Sequence, residues 1–199
     1  MNDMRREYDN YPTPEPLAAH IVDRAIELSP RAYSHNSWVF MLEPGCGDAA
    51  PFAKHAKKRG VYSALGVDIR DITRPGLIGN TDFLSPGFNP APTFDVIATN
   101  PPYNLAQEFV EKSLTLLSSN GIAAFLLRLG FLASLKRAEL FKRRPPCQIE
   151  VLQRRPSFTG NGTDSHDYAV FYWTGNHSIF KHPIISWYEN PRNTKQEAK

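Results

Sequence analysis

The chain is poor in sulfur, in net charge and in long apolar runs. Two cysteines in 199 residues, Cys46 and Cys147, are too few for a disulfide framework and lack metal-ligand spacing. A reducing, cytoplasmic compartment is the expectation. A formal charge of +3 permits a nucleic-acid partner without demanding one. No run approaches the roughly 18 apolar residues of a membrane span, and the polar start "MNDMRREYDNYPTPEP" has no signal-peptide core. Repeats and low-complexity tracts are also missing, which excludes solenoids and fibrous assemblies. What remains is an ordinary globular composition, 41% apolar and 22% charged. Its seventeen prolines cluster at strand ends and loops rather than in one linker.

Periodicity places the elements. Leu17, Ile21, Ala25 and Leu28 recur at helical spacing before Ser29 and Pro30 end the pattern. "WVFML" (38–42) reads as a strand, followed by "EPGCGD" and a helix with a basic end at Lys57 to Gly60. Strands are predicted over 61–69, 94–99, 122–129, 147–152 and 167–174, the last of them aromatic-rich. Helices are predicted over 104–119 and 131–143. Such alternation implies an α/β fold with a largely parallel twisted sheet, an antiparallel last strand and helices on both faces. Residues 1–30 read as an N-terminal segment and helix, 31–174 as the main domain, and 175–199 as a tail.

Two strand ends carry the chemistry. Gly45 and Gly47 in "EPGCGD" let the backbone turn tightly beside a ligand, and Asp68 ends the next strand where a carboxylate can take ribose hydroxyls. Asp82 follows where an adenine amino group could be read. Gly45, Gly47 and Ala50 also satisfy the dinucleotide fingerprint, so an oxidoreductase is a rival reading. At the other end, "IATNPPY" (97–103) stops an apolar strand on Asn100 and two prolines. Proline fixes φ and removes a donor, which holds Asn100 and Pro101 extended with their oxygens free to face something other than a sheet partner.

"EPGCGD", "GVDI", "TDF" and "NPPY", in this order on successive strand ends, resemble class I S-adenosylmethionine-dependent methyltransferases with a Rossmann-like fold. More narrowly, they resemble the DNA adenine-N6 methyltransferases of the small phage and prophage type. "YPTPEPLAAHIV" (11–22) is similar to the segment that closes over the cofactor, and "RRPSFTGNGTDSHDYAVFYW" (154–173) to the late motif and final hairpin. The resemblance implies S-adenosyl-L-methionine held by Thr13, Pro14, Glu43, Gly45, Cys46, Gly47, Asp68, Ile69, Asp82, Phe83 and Asn100. It implies catalysis by Asn100, Pro101, Pro102 and Tyr103, with Tyr103 and Phe158 against the target base. Two acceptors, the Asn100 side-chain oxygen and the Pro101 carbonyl, would bind the amine's N–H groups.

The implied substrate is DNA, with RNA adenine and the N5 amide of a protein glutamine as alternatives. A catalytically silent nucleoside-binding subunit is a reading of a different class. The stretches 70–93, 154–166 and 175–199 are short for sequence recognition, so a protein partner could supply it. Lys136, Arg137, Lys142, Arg143, Arg144, Arg154 and Arg155 could line a phosphate-binding face. Asp164, His166 and Asp167 read as loop hydrogen bonding rather than a metal site.

Overall fold

A computed structural model describes residues 12–29, 38–91, 93–158, 162–176 and 182–191. The expected N-terminal segment lies partly outside them, at residues 1–11, Tyr11 included.

Eight strands form one sheet in the order β3-β2-β1-β4-β5-β7-β6-β8. They are β1 (Phe40–Pro44), β2 (Ser63–Val67), β3 (Leu77–Ile78), β4 (Phe94–Thr99), β5 (Leu117–Arg128), β6 (Gln148–Leu152), β7 (Tyr168–Thr174) and β8 (Ile184–Tyr188). Strands β3, β2, β1, β4 and β5 run parallel, and β7 lies antiparallel to both β5 and β6. Both β4 and β7 are buried along their whole length. This is why their sequences are largely apolar rather than alternating.

Helices cover both faces. On one, α1 (Glu15–Leu28) and α2 (Pro51–Lys58) pack Leu17, Ile21, Val22, Phe52 and Ala56 against Met41, Val96 and Ala124. On the other, α3 (Ala106–Leu116) and the short α4 (Ala138–Arg143) pack Phe109, Val110 and Leu140 against Ile97, Phe125 and Phe171. Pro14 sits at the N-cap of α1 and Pro51 opens α2, where a missing N–H costs nothing.

Three expected elements differ. The helix over 104–119 ends at Leu116, because Asp95 pulls the following residues into the sheet. Its buried carboxylate accepts Ser118 Oγ at 3.0 Å and the Phe40 N–H at 3.0 Å. The helix over 131–143 dissolves into two 3-10 turns, Leu129–Leu132 and Leu135–Arg137, ahead of α4. Arg137 holds that shape by donating to the carbonyls of Phe131 and Gly130, and Leu135 is 94% exposed. Finally, 167–174 is not the last strand. β8, drawn from the expected tail, adds parallel to β6 and exposes Ile184, Ile185 and Trp187.

Candidate active site

Strand order reverses direction between β1 and β4, the switch point at which α/β sheets open a crevice beyond their carboxyl ends. Thr99 Oγ1 donates to the Pro44 carbonyl at 2.6 Å and ties those two ends together. Gly45 and Gly47 then turn with φ of 65° and 60°, a region costly for residues with a Cβ. A side chain at Gly45 would also meet the Phe109 ring at 3.4 Å. The result is a cavity of about 510 Å³ bounded by the glycine turn, Asp68, Asp82, Phe83 and Asn100.

Two buried carboxylates stand in its wall. Glu43, 2% exposed, accepts the Ala53 N–H at 2.7 Å and so binds the first turn of α2. Burial pushes its carboxyl well above the ordinary value, against the pull of the Ala53 and Phe52 N–H groups. Asp68 is 4% exposed, yet its balance is opposite. Burial alone would raise it, but hydrogen bonds from the Arg70 side chain, the Arg70 N–H and the Gly47 N–H hold it below the usual carboxylate range. Oδ1 takes Arg70 N at 3.0 Å and Nε at 2.8 Å; Oδ2 takes Gly47 N at 2.8 Å and Arg70 Nη2 at 3.1 Å. Burial, with the charges of Glu43 and Asp68, pushes the Cys46 thiol to about 12. A thiol held protonated is no nucleophile at neutral pH.

Asp82 lines the same cavity and also shapes its own loop, its Oδ1 accepting the Leu84 N–H at 2.9 Å. Phe83 packs on Phe109 with ring centroids 5.0 Å apart. Ile69 is exposed in the wall, an apolar surface a planar ring could cover. Thr13, from the segment before α1, also lines the cavity.

Beyond Asn100 the chain runs between this cavity and a second one, with Asn104 and Leu105 again lining the first. Pro102 still lines the first, whereas Tyr103 lines the second, together with Leu129, Gly130, Phe131, Arg137 and His166. The "NPPY" turn is thus the partition between the two. Tyr103 sits in a 3-10 turn before α3, and burial raises its hydroxyl far above the usual range. Its ring lies 5.8 Å from that of Tyr168 and under the Arg128 guanidinium, 4.3 Å from the centroid.

Of the expected site residues, Thr13, Glu43, Gly45, Cys46, Gly47, Asp68, Ile69, Asp82, Phe83, Asn100 and Pro102 share the first cavity. Three are placed otherwise. Pro14 faces a small neighbouring cleft instead, because it is committed to the start of α1; Pro12 lines the main cavity in its stead. Pro101 is buried and lines neither. Phe158, 7% exposed, packs edge-on against Tyr168 in the core and lines neither cavity, so it is not presented to a base. The sequence reading also missed Arg70 and Arg128. Arg70 had a signal, a cation two residues after the strand-end aspartate. Arg128 had none, since only tertiary packing brings β5 beside Tyr103.

No family model and no curated protein sequence matches the chain. Solved structures do match in fold. One is the methyltransferase subunit of a type I restriction-modification system from Streptococcus thermophilus, with a TM-score of 0.63 and 15% identity, covering 82% of this chain and 44% of that one. Another is a class I S-adenosylmethionine-dependent methyltransferase from Listeria monocytogenes, with a TM-score of 0.62 and 15% identity over 88% of this chain and 65% of that one. A third is an RNA methyltransferase from Pyrococcus horikoshii, with a TM-score of 0.61 and 10% identity, covering 84% and 88%. The chain spans less than half the length of the type I subunit. Its fold is the Rossmann-like fold of class I methyltransferases. Among the described residues no helix is long and apolar enough to cross a membrane.

Proposed function

We propose that the chain transfers a methyl group from S-adenosylmethionine to the exocyclic N6 amine of adenine in DNA. The observation that carries this reading is the partition: Asn100 lines the first cavity and Tyr103, three residues on, lines the second. A donor and an acceptor molecule held in these cavities would meet at the Asn100 end of the turn.

The first cavity suits the cofactor. It has glycines that admit close backbone approach, a buried carboxylate for a ribose, Asp82 for an adenine amine, and apolar walls at Ile69 and Phe83. S-adenosylmethionine would supply an electrophilic methyl group there. The remaining task belongs to the protein. An exocyclic amine is a poor nucleophile because its lone pair is delocalised into the ring. The Asn100 side-chain oxygen and the Pro101 carbonyl would accept its two N–H groups and favour a pyramidal nitrogen. These acceptors gain strength as positive charge builds on the nitrogen, so they stabilise the transition state more than the ground state. The N–H proton becomes acidic only once the new N–C bond has formed, and it then leaves to water. No general base is needed before transfer. Tyr103 supplies a ring for a base extruded from a duplex.

RNA adenine is the second reading. It is favoured by the Pyrococcus horikoshii neighbour, which matches this chain along nearly its whole length. Incubation with labelled S-adenosylmethionine and DNA, RNA or protein extract, followed by digestion, distinguishes them. The expected product is N6-methyladenine from DNA. Label found only in protein, or cofactor binding with no transfer to any acceptor, would overturn the reading.

A further inference from the structure

The basic residues of this chain divide by their partners. Lys136 pairs with Glu108, Lys142 with Glu139, Arg154 with Glu189 and Arg155 with Asp167. These charges are compensated on the protein itself. Arg128 and Arg137 differ: among the described residues neither makes an ion pair with a carboxylate, and both border the second cavity. Each instead lies on an aromatic ring, Arg128 at 4.3 Å from the Tyr103 centroid and Arg137 at 4.5 Å from that of Phe131. Arg128 Nε is buried without a hydrogen-bond partner. Of the carboxylates nearby, Asp167 is paired with Arg155 at 2.8 Å, and Asp164 is hydrogen-bonded by the ring and N–H of His166 and acts on Arg128 only at a distance. Arg143 and Arg144 also lack a carboxylate but border neither cavity.

Stacked rings sit with centroids roughly 4.5–7 Å apart. A planar guanidinium 4.3 Å above Tyr103 therefore fills the place a target base would take. We infer that Arg128 is a gate. It covers Tyr103 until a nucleic-acid phosphate draws it off the ring, and it then holds that phosphate while the base takes its place. Arg137, fixed by the Phe131 and Gly130 carbonyls at 2.7 and 3.2 Å, is a second, static phosphate contact on the same rim. The inference rests on the nucleic-acid reading above, and it gives that reading a reason. A neutral protein amide brings no anion to move Arg128, whereas a polynucleotide brings one with every base.

The two halves of the gate act in opposite directions, which a merely structural arginine would not do. Binding is measured for Arg128→Met and Arg128→Lys, with S-adenosylhomocysteine present, using a fluorescein-labelled adenine-containing oligonucleotide and, separately, neutral adenosine. Melting curves and S-adenosylhomocysteine binding establish that each variant is folded. For Arg128→Met the oligonucleotide should bind about tenfold more weakly. Its log-log salt slope should fall by about 0.7–0.9, one phosphate contact. Adenosine should bind about two- to fivefold more tightly, since it no longer displaces a stacked cation. Arg128→Lys should keep the slope. An oligonucleotide affinity and slope unchanged in Arg128→Met would overturn the gate while leaving DNA methylation standing. Equal weakening for both probes would overturn it in favour of a packing role. A wild-type chain that binds no oligonucleotide and labels protein instead would overturn the gate and the parent reading together.

Discussion

The two cavities on either side of "NPPY" each hold an arginine, but in opposite electrostatic circumstances. In the first, Arg70 grips Asp68 through both oxygens, so cation and anion cancel within one short loop. In the second, Arg128 faces a ring and, among the described residues, makes no ion pair with a carboxylate, Asp164 acting on it only at a distance. A compensated pair suits a site whose ligand must hydrogen-bond but need not bring an anion to it. An uncompensated pair of cations suits a site whose ligand brings the missing charge. On the proposed function, the contrast would separate the sugar end of a cofactor from the backbone of a polynucleotide.

The sharpest way to break this comparison is at the partition. Asn100→Ala should lower single-turnover methylation by about 10²–10³, the effect of losing an acceptor aimed at developing charge, or roughly 2.7–4 kcal/mol. Cofactor affinity should fall far less, and Asn100→Asp should restore part of the rate. A folded Asn100→Ala protein with a normal rate would remove the mechanism. Next in size, Asp68→Ala should weaken S-adenosylhomocysteine binding by about 1.5–3 kcal/mol in calorimetry, through loss of a charge-assisted contact. Unchanged affinity would move the ribose elsewhere.

Arg70→Ala is the finer test. Asp68 cannot offer its lone pairs while Nε and Nη2 of Arg70 occupy them, so removing the side chain should tighten cofactor binding. The change should be within about 1 kcal/mol, because Arg70 is partly exposed. Weaker binding would mean that Arg70 orders the carboxylate rather than competing for it.

The smallest effect concerns Glu43. Its folded-state value lies above the ordinary 4.5, so ionising it costs the folded chain more than the unfolded one. That cost is absent below about pH 4.5 and grows as pH rises toward the folded value. Glu43→Gln keeps an oxygen for the Ala53 N–H and removes the titration. The melting temperature of the variant relative to wild type should therefore climb as pH rises above about 4.5. A pH-independent difference would contradict the buried-charge account.

Local chemistry made much of the fold legible in the sequence. The fully buried strands β4 and β7 announce themselves as largely apolar runs, and the parallel run of β2, β1, β4 and β5 is what strand–helix alternation implies. The glycine turn was legible for a similar reason, since only a residue without a Cβ sits easily at φ of 65° beside the Phe109 ring. Where the reading failed, one residue had two partners to choose between. Leu117 and Ser118 continue a helical pattern, yet Asp95, 23 residues earlier than Ser118, draws them into β5. Phe158 has the aromatic character of a base-stacking residue, yet Tyr168 already covers it.

Sequence alone determined the order of the strand ends and which polar groups stand on them, because period, turn chemistry and proline stiffness act over a few neighbouring residues. Only the tertiary structure decided which of those groups share a cavity and which charges are compensated. Arg70 meets its aspartate within two residues, but Arg128 meets Tyr103 across 25 residues of helix and strand, through the pairing of β4 with β5. Electrostatic and stacking energies depend on separation in space, and the chain's own spacing carries no record of that until the sheet closes it.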